Sequence, residues 1–129
     1  MATILLSIKP EYVVKILSGD KKYEYRKHLP QEPVDRIIIY STDPEKSVVG
    51  EVAVIGTLAM SPNALWEFTK KDSGIARSKY RLYFKGAKKA FAFQLGDVTV
   101  YDTPQKLSEF GVNQAPQSFI YLTQLGDND

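Results

Sequence analysis

Apolar and polar positions follow two rhythms along this chain, and the changes of rhythm mark its elements. Thr3 to Ile8 (TILLSI) is an apolar run with the look of a buried strand. From Pro10 the period lengthens, and Tyr12, Val13, Ile16 and Leu17 fall on one stripe of a helix. Pro10 stands where a helix can lose its first donor, and Gly19 where it needs a left-handed stop. After Gly19 the spacing becomes two: Tyr23 and Tyr25 point to one side of a strand from Lys22 to Lys27, and Lys22, Glu24 and Arg26 to the other. Leu29 to Pro33 is a loop, Val34 to Tyr40 (VDRIIIY) a strand, and Ser41 to Lys46 a turn around Pro44. Ser47 to Met60 is a long strand expected to form a hairpin with its predecessor, with Gly50 and Gly56 marking a bulge or a close backbone approach.

Ser61-Pro62 has the cap-then-proline pattern of a second helix, which carries Leu65, Trp66 and Phe68 and stops at Gly74. Ile75 to Phe84 reads as a third helix, closed by Gly86, with Leu82 and Tyr83 inward and Lys79, Arg81 and Lys85 in solvent. Within Ala87 to Tyr101, Phe91, Phe93 and Leu95 alternate with Ala90, Ala92 and Gln94, as in a strand. Thr103-Pro104 repeats the helix-opening device before Gly111, Ser118 to Thr123 is a last strand, and Leu125 to Asp129 is an acidic fraying end. Strands outnumber helices without a regular βαβ alternation. The fold class is therefore α+β, a small mixed or largely antiparallel β-barrel with three or four short helices, its strands bent at internal glycines. One domain over residues 1–129 is expected at this length.

Composition narrows the chemistry. With 43% hydrophobic and 25% charged residues the chain is ordinary for a globular protein. No apolar run reaches the roughly 18 residues of a membrane span, and MATILLSIKP lacks the features of a signal peptide, so a cytoplasmic protein is expected. With no cysteine and one histidine, neither a thiol nucleophile nor a structural zinc site is expected, and no cofactor or metal is called for. The net charge of +2 is unevenly spread: Lys9–His28 carries +3, Thr69–Lys89 carries +7 and Asp97–Asp129 carries −4. A basic middle suits an anionic partner, although a solvated helical face would read the same way.

No phosphate-binding loop, dinucleotide fingerprint, nucleophile elbow or zinc-protease helix is present. His28 reads as a surface loop residue, Trp66 as core, and Asp43 and Glu45 as solvated turn residues. In Arg77–Lys85 cations and tyrosines interleave, a pattern that can neutralise phosphates and stack bases. The opening stretch holds the other candidates. Lys21, its pKa lowered by Lys22 and Arg26, can act as a base. Glu24 and Arg26 share a strand face, Arg26 and Lys9 can hold a phosphate or carbonyl oxygen, and Gln117 and Ser118 can read a base edge.

The stretch IKPEYVVKILSGDKKYEYRK resembles the signature of the ASCH domain, at Lys9, Gly19, Lys21, Glu24 and Arg26. The likeness continues in Gly50-Glu51-Val52, Tyr83-Phe84 before Gly86, Ala90–Leu95 and Pro116–Phe119. The resemblance implies a PUA-like fold with a cleft beside the first helix that binds RNA or a modified nucleoside. One branch of that family deacetylates acetylcytidine with a lysine, a threonine and a distant glutamate; another is ribonuclease-like. Lys21 matches the lysine, position 24 is Glu where that branch has threonine, and Glu51 and Glu67 are the candidates for the glutamate. The expected site is then Lys21 and Glu24 as catalytic groups, with Lys9, Arg26, Gln117, Ser118, Lys79, Arg81 and Lys85 holding RNA. The alternatives are a metal-independent hydrolase of RNA or acylated nucleosides, and a regulatory module that binds a partner without catalysis.

Overall fold

The computed structural model describes residues 1–122. Among these residues six strands form one sheet in the order β2-β5-β4-β3-β1-β6. They are β1 (Ala2–Ile8), β2 (Tyr23–Arg26), β3 (Val34–Ser41), β4 (Ser47–Met60), β5 (Ala90–Gln105) and β6 (Phe119–Tyr121). Three helices, α1 (Pro10–Ser18), α2 (Pro62–Thr69) and α3 (Arg77–Tyr83), cover its ends and one face. All ladders are antiparallel except β1 with β3. The sheet curls into a half-barrel whose edges, β2 and β6, share no ladder among the described residues.

The apolar runs of β1 and β3 arise because both faces of these strands are covered. Ile4, Leu6, Ile8, Ile37 and Ile39 join Val13 and Ile16 of α1, Val52, Phe93 and Leu95 in one core. Leu5, Ile38, Tyr40 and Val48 face the other way, against Tyr101, Leu107 and Phe110. A third cluster puts α2 and α3 on β2 and β5 through Leu65, Tyr80, Phe84, Tyr25 and Ala92. The β3–β4 hairpin and the full extent of β4 agree with the sequence pattern. A Cβ on Gly50 would lie 2.6 Å from Thr99 O, so this strand position admits nothing larger. The β4–β5 register shifts on either side of Val54, which helps the sheet curl.

Two elements differ from expectation. Thr103-Pro104 opens no helix: β5 runs on to Gln105, and a 3₁₀ turn follows at Leu107–Phe110. Beyond Leu95 β5 pairs, among the described residues, with β4 on one side, so a proline, which has no N–H, is tolerated at that open edge. In α3 Tyr80 is the buried residue, with Phe84 buried at the C-cap, whereas Leu82 is 73% and Tyr83 37% exposed. The tail expected to fray lies outside the described residues, as does the end of the last strand at Thr123.

Candidate functional site

A cleft of about 610 Å³ opens beside α1. Its walls come from the end of β1, the start of α1, Glu24 to Arg26 of β2, Thr42 after β3, Ile75 and α3, and the loop at Gln117. Local signals set the two ends of α1: Pro10 is its first residue, and Gly19 takes the left-handed conformation at φ +87°. That stop turns the chain so that Lys21 N–H donates to Lys15 O and the Lys21 side chain enters the molecule.

Lys21 is only 3% exposed. Its Nζ donates to Ser73 O at 2.7 Å and lies 5.3 Å and 4.8 Å from the ring centres of Tyr12 and Tyr25. The aromatic faces attract the ammonium, but burial dominates and lowers its pKa from 10.5 to about 8. Glu24 opposes that shift, while Lys15 and Arg26, rather than the expected Lys22, add to it. The Ser73 carbonyl can come this close because residue 74 is glycine, at φ +64°; a Cβ there would overlap Cβ and Cγ of Lys21.

Glu24 is 6% exposed, and its Oε2 accepts from both Nε (3.2 Å) and Nη2 (2.8 Å) of Arg26. Arg26 Nη2 also donates to Ser7 O at 3.0 Å, and Nη1 to Ser118 Oγ at 3.3 Å. These bonds engage four of the five donors of the guanidinium, so one Nη1 proton is left for a ligand. Arg26 thereby bridges β2 to β1 and to the loop before β6, where no ladder among the described residues joins the sheet edges. Its main work is to hold Glu24 and close the half-barrel, more than to clamp a phosphate. Glu24 Oε1 accepts no hydrogen bond from the described residues and is the acceptor that the cleft floor presents.

The expected residues divide in three. Lys9, Lys21, Glu24, Arg26, Lys79 and Gln117 line the cleft together. Ser118 touches it through Arg26. Arg81 and Lys85 do not line it. Arg81 follows Lys79 by two residues and is turned about 200° from it around α3, and Lys85 lies past the helix end. Of the proposed distant glutamates, Glu51 is paired with Arg36 and accepts from Tyr101 Oη, and Glu67 is paired with Lys70; neither reaches the cleft. His28 is exposed, and Trp66 packs on Tyr80 at 4.8 Å.

Sequence reasoning missed the apolar wall of Tyr12, Tyr25, Ile75, Leu82 and Tyr83 and the Ser73 carbonyl. Contacts between residues 52 positions apart leave no local signal. Across the mouth Lys79 Nζ meets Glu11 Oε2 at 3.0 Å. Lys9 and Lys21 enter no ion pair among the described residues, so the cleft keeps an excess of positive charge.

A family model described as ASCH domain matches residues 6–114. The ASCH domain-containing ribonuclease of Zymomonas mobilis is 35% identical over 123 residues, covering 92% of this chain and 82% of that protein. The crystal structure of ASCH from Zymomonas mobilis aligns with a TM-score of 0.87 at 32% identity, over 95% of this chain and 89% of that one. ATP synthase subunit alpha of Ureaplasma parvum is 31% identical over 121 residues, which are 93% of this chain but only 15% of that protein. The chain thus spans a small part of that relative's length.

Proposed function

This chain belongs to the ASCH domain family, and on that premise we propose that it binds single-stranded RNA in the cleft beside α1. The observation that carries this reading is the composition of the cleft itself. A buried acceptor and a buried ammonium lie on its floor, aromatic and apolar side chains form one wall, and cations exceed acids around it. A base can use the wall, and its edge Glu24 and Gln117. The phosphates can use Lys9 and the remaining Arg26 proton.

Cleavage is a second reading, favoured by Lys21. A lysine with a pKa of about 8 has a usable fraction of base near neutral pH, unlike an ordinary one. The relative with 35% identity is named a ribonuclease. In this reading neutral Lys21 takes the proton of a ribose 2′-hydroxyl, whose oxygen attacks the adjacent phosphorus. The bond from phosphorus to the 5′-oxygen breaks, and that oxygen takes a proton from water, leaving a 2′,3′-cyclic phosphate and a 5′-hydroxyl. Glu24, fixed by Arg26, orients the reacting ribose. Deacylation of acetylcytidine fits less well, because Glu24 brings no hydroxyl and Glu51 and Glu67 lie off the cleft. Action on RNA goes with a cytoplasmic location, and no helix among the described residues is long and apolar enough to cross a membrane.

Binding is tested by fluorescence anisotropy with a labelled single strand of RNA, 2′-fluoro substituted so that it cannot be cleaved by this route. Affinity is expected to fall with salt, with a log–log slope of about −0.7 for each phosphate contacted. No detectable affinity at low salt would remove the RNA reading and leave that of a partner-binding module.

A further inference from the structure

The α3 residues expected to be buried, Leu82 and Tyr83, are instead exposed at the cleft rim. Tyr83 is held edge-on against Phe84, ring centres 4.8 Å apart, and Lys27 Nζ sits 4.9 Å from its ring centre. Leu82 and Tyr83 are not what holds α3 to the core, since Tyr80 and Phe84 already anchor it. They do form a small apolar platform next to positive charge, which suits a base with its phosphate. A base held against Tyr12 inside the cleft would leave this platform free for a second one.

Building on the proposed RNA binding, we infer that the site takes a nucleotide within a strand, and that the next nucleotide leaves the cleft over α3 with its base on Tyr83 and Leu82 and its phosphate near Lys27. The ligand class is therefore single-stranded RNA of at least two nucleotides. A duplex, whose bases are already stacked, cannot use the platform. The path follows the side of α3 that carries Lys79, Leu82 and Tyr83, not the side of Arg81.

The test compares a five-nucleotide 2′-fluoro oligoadenylate with adenosine monophosphate, in direct titration of the wild-type protein and of Tyr83→Ala, Tyr83→Phe and Leu82→Ala. The oligonucleotide is expected to bind roughly tenfold or more tightly than the mononucleotide, as one added stack supplies. That advantage should largely disappear in Tyr83→Ala, shrink in Leu82→Ala and survive in Tyr83→Phe, which keeps the ring. Equal affinity of the two ligands for the wild type would overturn the exit path while leaving the cleft reading in place. So would a loss in Tyr83→Ala that is the same for both ligands, since Tyr83 would then be only a wall of the cleft. Absence of binding by either ligand would remove both readings together.

Discussion

On the cleavage reading, replacing Lys21 by methionine is expected to leave the protein folded and to reduce RNA cleavage about 10²–10⁴-fold, the range for loss of a general base. Methionine matches the length of the lysine stem and fits between Tyr12 and Tyr25 without a charge. The variant should lose no stability near neutral pH. A pKa drawn down from 10.5 to about 8 means that the buried ammonium is held at a cost of about 3 kcal/mol relative to water, and methionine removes that cost. Wild-type cleavage should rise with pH and level off above about 8, as Lys21 loses its proton; the residual rate of the variant should lack that rise. Wild-type activity in Lys21→Met would remove the lysine from the chemistry.

The same shift has a signature in folding that is independent of activity. Below about pH 8 Lys21 is protonated in both the folded and unfolded chains, so it contributes no slope. Between about 8 and 10.5 the unfolded chain holds more protons on this lysine than the folded one, so this contribution makes stability rise with pH. Above about 10 the buried tyrosines act in the opposite sense. Burial raises the pKa of Tyr25, Tyr80 and Tyr101, so the folded chain keeps protons that the unfolded chain loses. Urea unfolding at pH 7 and pH 9.5 should therefore show a gain for the wild type that Lys21→Met does not share.

The largest loss of stability is expected at Arg26. Arg26→Ala leaves the carboxylate of Glu24 buried without its partner and cuts the bridge from β2 to Ser7 and Ser118. Breaking a buried pair from one side costs on the order of 3–5 kcal/mol. Arg26→Lys should recover only part of this, because a single ammonium cannot reproduce the fork that meets Glu24, Ser7 and Ser118 at once. Replacing both partners, as in Glu24→Leu with Arg26→Met, should restore much of the stability, because neither member of the pair is left buried without the other. RNA affinity should not return with it, since the acceptor on the cleft floor is gone. Chemical denaturation of the two single variants and the pair measures the coupling; additive losses would show that Arg26 does not act through Glu24.

What could be read from the sequence was what neighbouring residues dictate. Pro10 and Gly19 bracket α1, Ser61 caps α2 through a hydrogen bond from Ala64 N–H, and alternation sets β2 with Glu24 and Arg26 on the cleft side. The family likeness added the cleft and placed Lys21 in it. The rotation of α3 was missed because seven residues hold barely two turns, too few for a period to choose between Tyr80 with Phe84 and Leu82 with Tyr83. The extension of β5 through Pro104 was missed because an open edge depends on which strands pair. The surroundings of Lys21 were missed for a related reason: the Ser73 carbonyl arrives through Gly74, whose part in the packing shows only once the loop lies over the lysine. Arg26, expected to hold ligand, is mostly occupied by the protein because the curl of the sheet brings β1 and the loop before β6 within its reach.

Whether RNA enters the cleft or rides the outer basic face of α3 is decided most directly by a crystal structure of the protein with the five-nucleotide 2′-fluoro strand. A nucleotide is predicted in the cleft against Tyr12, with its polar edge within hydrogen-bond distance of Glu24 or Lys21 and the next base on Tyr83. A strand lying along Arg81 and Lys85, with the cleft empty, would contradict it.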